Sequence, residues 1–142
     1  AECLGLADRV GFVLADWTDG IAGPFDLVLS NPPYITTAEI AGLAPEVALY
    51  DPLSALDGGN DGLDAYRALA RRIGALLSPS GVVVLEIGAG QQDDVTAIFE
   101  GRGFTLVGTR KDLGGHARAL SFATEPLSEW LTAILKKGLE TV

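Results

Sequence analysis

The stretch Leu27-Val28-Leu29-Ser30-Asn31-Pro32-Pro33-Tyr34 constrains this chain more than any other. Phe25 to Leu29 is a largely apolar run of strand length, rich in residues that favour strands. It ends abruptly at Ser30-Asn31, and two prolines come next. Neither proline has a backbone N–H to donate, and each holds the residue before it in an extended conformation. A buried strand therefore stops here and hands over to a stiff loop with set carbonyl directions. In open α/β sheets, ligands bind at the carboxyl ends of strands. An amide side chain, stiff carbonyls and an aromatic ring at that point can grip a planar, amide-like group.

The chemistry comes from the groups themselves. The nitrogen of an amide, or an exocyclic NH2 on a base, is a poor nucleophile because its lone pair is delocalised. The side-chain oxygen of Asn31 and the main-chain carbonyl of Pro32 can each accept one N–H from it, steering the lone pair at an electrophile. Tyr34 can cover the flat face of the group. Positioning of this kind is worth roughly 7–11 kcal/mol in well-oriented systems. No charged base is needed before transfer, and the motif contains none.

The rest of the chain reads as alternating elements of an α/β fold. Ala1 to Leu6 reads as the last turns of a helix, with Gly5 near its end. Val10 to Leu14 is expected as a short strand running into Ala15-Asp16-Trp17, a second polar residue at a strand's carboxyl end. Residues 35–64 form a long connection, with a short helix from Thr37 capped by Thr36 or Thr37. Connections of this length are usually functional or mobile. Leu63 to Leu77 has helical spacing of its apolar residues, and Ser78-Pro79-Ser80-Gly81 stops it. Val82 to Ile87 is the most apolar strand, so central and parallel. Asp93 or Asp94 opens a helix that Gly103 ends. Phe104 to Thr109 and Ala117 to Ala123 are expected as an antiparallel pair at one sheet edge. From Pro126 on, Leu127, Trp130, Leu131, Ile134, Leu135 and Leu139 mark an amphipathic helix. The division is thus 1–124 for the α/β domain and 125–142 for this helix, whose apolar stripe is expected to pack on the domain or to seal a homo-oligomer.

Composition narrows the class. The 142 residues amount to one domain, and 48% of them are hydrophobic, enough for a core. No apolar run reaches membrane-spanning length, and the first residues do not read as a signal peptide. Cys3 is the single cysteine, so neither a disulfide framework nor a cysteine metal site is expected, and a cytoplasmic setting fits. The net charge of −9 is uneven: residues 1–66 hold 11 acidic side chains and one basic, Arg9, against 8 acidic and 9 basic beyond them. Nucleic acids are held largely by Lys and Arg at phosphates, so the surroundings of Asn31 argue against a nucleic-acid substrate. Glu86 at a strand end reads as structural, His116 as solvated, and Arg118 as the partner of an acid at the sheet edge. No metal site is expected.

Taken together, several segments carry a resemblance. They are Asp16-Trp17, Ser30-Asn31-Pro32-Pro33-Tyr34-Ile35, Asp51-Pro52-Leu53-Ser54-Ala55-Leu56 and Gly58-Gly59-Asn60-Asp61-Gly62-Leu63. Glu86-Ile87-Gly88 with Gln91, and Gly114-Gly115-His116-Ala117-Arg118, complete the set. Over residues 1–123 the chain resembles the protein-(glutamine-N5) methyltransferases of peptide-chain release factors, the HemK family. The resemblance implies a Rossmann-like class I methyltransferase sheet, mostly parallel with an antiparallel edge strand, and S-adenosylmethionine as cofactor. It implies that Asp16, Trp17 and Asn31 meet the cofactor, Trp17 packing against its adenine. It implies that Asn31, Pro32, Pro33 and Tyr34 hold the glutamine amide of a release factor's Gly-Gly-Gln loop, with Asn31, Pro32 and Tyr34 acting in the transfer. The family usually has Glu at the place of Asp51 and often Arg at that of Ala48.

A class I methyltransferase opens with a strand, a glycine-rich turn and a helix, then a second strand ending in an acid for the ribose hydroxyls. No stretch here plays those parts, and by the same resemblance Gly88-Ala89-Gly90 belongs after the fifth strand. The expectation is the C-terminal portion of a longer enzyme, with the N-terminal strands missing and the portion inactive alone. Two alternatives stay open: an amino-methyltransferase acting on adenine or guanine in nucleic acid, and a non-catalytic interaction module.

Overall fold

The apolar runs assemble into one four-stranded sheet, with helices formed where the spacing turns helical. A computed structural model describes residues 1–124. The strands are β1 (Phe25–Ser30), β2 (Leu77–Glu86), β3 (Thr105–Lys111) and β4 (Ala117–Ala123), in the order β1-β2-β4-β3. β1 and β2 run parallel, Val28 beside Val83 and Ser30 beside Leu85. β4 is antiparallel to both β2 and β3. Three strands therefore point one way, and the antiparallel pair lies at the sheet edge as expected. Within that pair the reversed strand is the inner one.

β2 is the hub, with a partner on each side. Val83, Leu85 and Ile87 are fully buried. α4 (Asp64–Arg72), continued by a 3-10 turn over Ile73–Leu76, and α5 (Gln92–Glu100) supply the other layer. Tyr66, Leu69, Ala70 and Ile73 from the first and Val95 and Phe99 from the second join one core. Phe99 stacks on Phe122 at 4.7 Å and meets Phe104 edge-on at 5.2 Å. Each such side chain contributes about 1.5–3 kcal/mol when fully buried.

β2 begins at Leu77, five residues before the expected Val82. Leu77 pairs with Phe25 and Val82 with Leu27, so Ser78-Pro79-Ser80-Gly81 bulges opposite the single residue Asp26. The turn residues are absorbed as a bulge because Pro79 has no N–H for the ladder. Ser78 fastens it, its hydroxyl donating to Asp26 Oδ1 at 2.7 Å.

The expected strand over Val10–Leu14 is not formed. Phe12, Val13 and Leu14 are 81%, 69% and 104% exposed. A strand exists only through a neighbour's hydrogen bonds, and no described strand lies against this segment. Before it, Glu2–Leu4 makes a 3-10 turn that Gly5 ends in the left-handed conformation, φ 63°. The long connection holds three short helices, α1 (Thr37–Ile40), α2 (Pro45–Tyr50) and α3 (Leu53–Leu56). Thr36 caps α1, and the Glu39 carboxylate accepts both its N–H and its hydroxyl. The expected amphipathic helix after Pro126 lies outside the described residues.

Candidate active site

The carboxyl ends of β1 and β2 lie side by side, since Ser30 pairs with Leu85. The loops leaving the two strands therefore share one end of the sheet. After β1 come Asn31, exposed; Pro32, fully buried; and Pro33 and Tyr34, half-buried. After β2 come Ile87 and the Gly88–Gln91 turn. Burying Pro32 anchors the loop without a backbone donor and leaves the Asn31 side chain at the surface.

A cavity of about 600 Å³ opens here, lined by Ser30, Asn31, Val84, Glu86 and Arg118 among others. That is within the range of small-molecule sites. Tyr34 forms its neighbour's wall: a second cavity of about 580 Å³ lies between Tyr34, Thr36, Glu39, Asp61, the Gly88–Gln91 turn and Arg118. Arg118 borders both. Its Nε donates to Asp112 Oδ2 at 3.0 Å and its Nη1 to the Ile87 carbonyl at 3.3 Å. This is the acid partnership expected of Arg118, with Asp112 supplied by the β3–β4 turn. The contact holds the Asp112 carboxyl below the usual carboxylate range and the Arg118 guanidinium above its own.

Glu86 turns out to face the Asn31 cavity. The Tyr34 hydroxyl lies 3.5 Å from its Oε1, at the long limit of a hydrogen bond. Its main-chain carbonyl accepts from the Tyr66 hydroxyl at 3.0 Å, and burial pushes the Tyr66 phenol well above its ordinary range. Its place at a strand end is the sequence signal for it; that this end lies beside Ser30-Asn31 comes from the sheet register. Five residues beyond β2, Gln91 stands out in the sequence only as part of a motif, yet its amide touches three separate segments of the site.

Trp17 lies on the other side of β1. It lines an apolar cavity of about 350 Å³ with Ile21, Phe25, Val28, Leu69 and Ile73. That cavity and the Asn31 cavity both reach Leu29 and Ser30, so the two flank the end of one strand. Trp17 is held at φ 53°, a left-handed conformation that a bulky residue rarely adopts. Asp16 is exposed, and its carbonyl accepts the Asp19 N–H of the turn. Asn31 thus lines the first cavity and Tyr34 the second, with Pro32 and Pro33 between them in the chain and Asp16 and Trp17 on the loop before β1.

The segment 57–64 closes the second cavity. Asp57 Oδ1 accepts the Thr37 hydroxyl and the Gly59 N–H. Gly58 N–H donates to the Ile35 carbonyl, and Ile35 N–H to that of Leu56, so this segment runs beside the one after Tyr34. Arg67 bonds Asp61 at 2.6 Å and Asp64 at 3.0 Å, pinning the start of α4. Among the described residues there is no cluster of three or more His, Cys, Asp or Glu side chains fit for a metal, and no helix long and apolar enough to cross a membrane.

Comparison with known proteins decides the family. A release factor glutamine methyltransferase of Rhodospirillum rubrum is 52% identical over 120 residues, 84% of this chain and 37% of the relative. One of Agrobacterium fabrum is 48% identical over 83% of this chain and 41% of the relative. The chain belongs to this family. It spans about two fifths of the length of these release factor glutamine methyltransferases. A protein of Rickettsia felis named bifunctional methyltransferase is 39% identical over 94% of the chain and 26% of its own length. No family model matches the chain. Among solved structures, a methyltransferase from Pyrococcus furiosus aligns at TM-score 0.51, with 18% identity over 75% of this chain and 44% of that one. TrmN from Thermus thermophilus aligns at 0.51, with 21% identity over 86% of this chain and 30% of that one. The last two establish likeness of fold, that of a methyltransferase sheet.

Proposed function

We propose that this chain supplies the amide-gripping part of an enzyme that methylates the glutamine side-chain nitrogen in the Gly-Gly-Gln loop of peptide-chain release factors. The observation that carries the proposal is the Asn31–Tyr34 loop. It is anchored by buried Pro32 at the end of β1, with Asn31 lining one cavity and Tyr34 the next. The names and identities of the relatives support the substrate.

S-adenosylmethionine is the proposed cofactor. Trp17 offers a flat face beside an apolar cavity that adjoins the Asn31 cavity at Leu29 and Ser30, which suits a purine on one side and a reacting methyl group near Asn31. Asp16, Trp17 and Asn31 are the residues that would hold it. When bound, it supplies an electrophilic methyl group. Asn31 and the Pro32 carbonyl accept the two N–H groups of the glutamine amide. Tyr34 covers the amide plane, and its hydroxyl is kept near Glu86. Held so, the amide nitrogen would take the methyl carbon as sulfur leaves it as a neutral thioether, and would release one N–H proton to water. Held as an acceptor, the Asn31 oxygen fixes the nitrogen's direction before any charge develops.

A glycine-rich turn and a ribose-binding acid belong to the N-terminal part of such enzymes. Residues 1–142 alone are accordingly expected to bind S-adenosylmethionine weaker than micromolar by calorimetry. The function is tested in a completed protein, residues 1–142 joined to the N-terminal part of a full-length relative. Labelled methyl groups from S-adenosylmethionine are tracked into a release factor and into nucleic acid offered together. Label in the release factor is expected. Label in nucleic acid alone would favour base methylation instead.

A further inference from the structure

We infer that Gln91 is a positioning residue that sets the geometry of the Asn31–Tyr34 grip, an inference that rests on the function proposed above. Pro32 and Pro33 leave the loop without a backbone donor at two successive positions. Such a loop has to be tied through its carbonyls and through the residues after it. The Gln91 Nε2 amide donates to the Tyr34 carbonyl at 3.1 Å and to the Gly62 carbonyl at 3.2 Å. Its Oε1 accepts the Gly88 N–H at 2.9 Å. One side chain thus laces the gripping loop, the glycine segment before α4 and the turn after β2.

The backbone is shaped to admit this amide. A Cβ on Gly62 would sit 2.5 Å from the Tyr34 oxygen and 2.7 Å from the Gln91 nitrogen. A Cβ on Gly88 would sit 2.7 Å from the Gln91 oxygen and 3.0 Å from the Tyr34 ring. A Cβ is firmly excluded at Gly62 by the Tyr34 carbonyl, and at Gly88 it would crowd the Gln91 amide, so both glycines make room for this contact. Gly62 also has φ 74°, which suits glycine. An amide is the fitting side chain: it donates twice and accepts at once, which neither a carboxylate nor an ammonium can do. Gln91 touches no reacting atom. It acts by holding the Tyr34 carbonyl, and with it the ring and the two prolines before it.

Two variants and one spectrum test this. Gln91→Glu keeps the volume and the acceptor for Gly88 but loses both donors. Gln91→Ala loses all three bonds. In the completed protein, kcat for the release factor is expected to fall about 10- to 100-fold in both, as a small misplacement does. KM for S-adenosylmethionine should change little, and the fall in kcat should persist well below each variant's unfolding midpoint. In residues 1–142 as they stand, the Gln91 side-chain NH2 protons should exchange with solvent far more slowly than those of exposed Asn60. NH2 protons as fast as those of Asn60, or a Gln91→Glu protein with wild-type kcat, would overturn the positioning role while leaving the function standing. A wild-type protein that leaves the release factor unmethylated would overturn the function, and the positioning role with it.

Discussion

β1 and β2 are parallel neighbours of similar apolar sequence, yet they live in different surroundings. β2 has a strand on each side and buries Val82, Val83 and Leu85, with Ile87 buried just beyond it. β1 is paired along one edge among the described residues, and Phe25, Leu27 and Leu29 are 39%, 56% and 69% exposed. β1 nonetheless carries the candidate site. The difference teaches that hydrophobic sequence alone does not bury a strand; neighbours do. The site at the end of β1 takes its order from β2 and the turn after it, through the Ser30–Leu85 pairing and the Gln91 amide, and from its own buried Pro32.

The largest effect should break that comparison at its hub. Leu85→Ala empties a site with no exposure, and is expected to cost about 2–5 kcal/mol in denaturant unfolding. On β1, Leu29→Ala, at the exposed residue that pairs with Val84, should cost under about 0.5 kcal/mol in residues 1–142, as surface substitutions do. Equal costs would mean that β1 is as well covered as β2.

Next in size is an effect on rate, not stability. Asn31→Ala in the completed protein removes one acceptor from the grip, and turnover is expected to fall at least about 100-fold. Because Asn31 is exposed, circular dichroism and the unfolding midpoint should stay near wild type. Near-normal turnover would remove Asn31 from the chemistry.

The smallest effect concerns the edge pair. Arg118 holds the Asp112 carboxyl below its ordinary value. A depressed folded pKa means that the contribution is present above the ordinary carboxylate pKa and lost as pH falls through the folded value. Unfolding midpoints taken from about pH 5 down to pH 2 should therefore show a slightly steeper acid limb in wild type than in Asp112→Asn. Identical limbs would show that the half-buried ion pair is too well screened to matter.

Much of this arrangement is legible from local pattern. Val82–Ile87, the helix from Leu63 and the Ala117–Ala123 strand are elements whose periodicity and punctuation agree with their final burial. The Asn31 loop is legible because proline restricts its neighbours whatever the tertiary context. Val10–Leu14 is not: its apolar run is strand-like, but pairing depends on another segment, which local sequence cannot supply. The bulge at Ser78–Gly81 reads as a turn for the same reason, since only the register with Phe25 and Leu27 distinguishes the two. At the site, the roles of Glu86 and Gln91 depend on which carboxyl ends lie side by side. Spacing along the chain leaves that open until the sheet order is known.

The most direct measurement is the position of the transferred methyl group. The completed protein is incubated with S-adenosylmethionine and a release factor, and the peptide holding the Gly-Gly-Gln loop is fragmented in a mass spectrometer. The proposal predicts one methyl group on the glutamine side-chain nitrogen, absent when Asn31→Ala replaces the wild type. A methyl group on another residue, or an unmodified loop beside a methylated base in added nucleic acid, would contradict it.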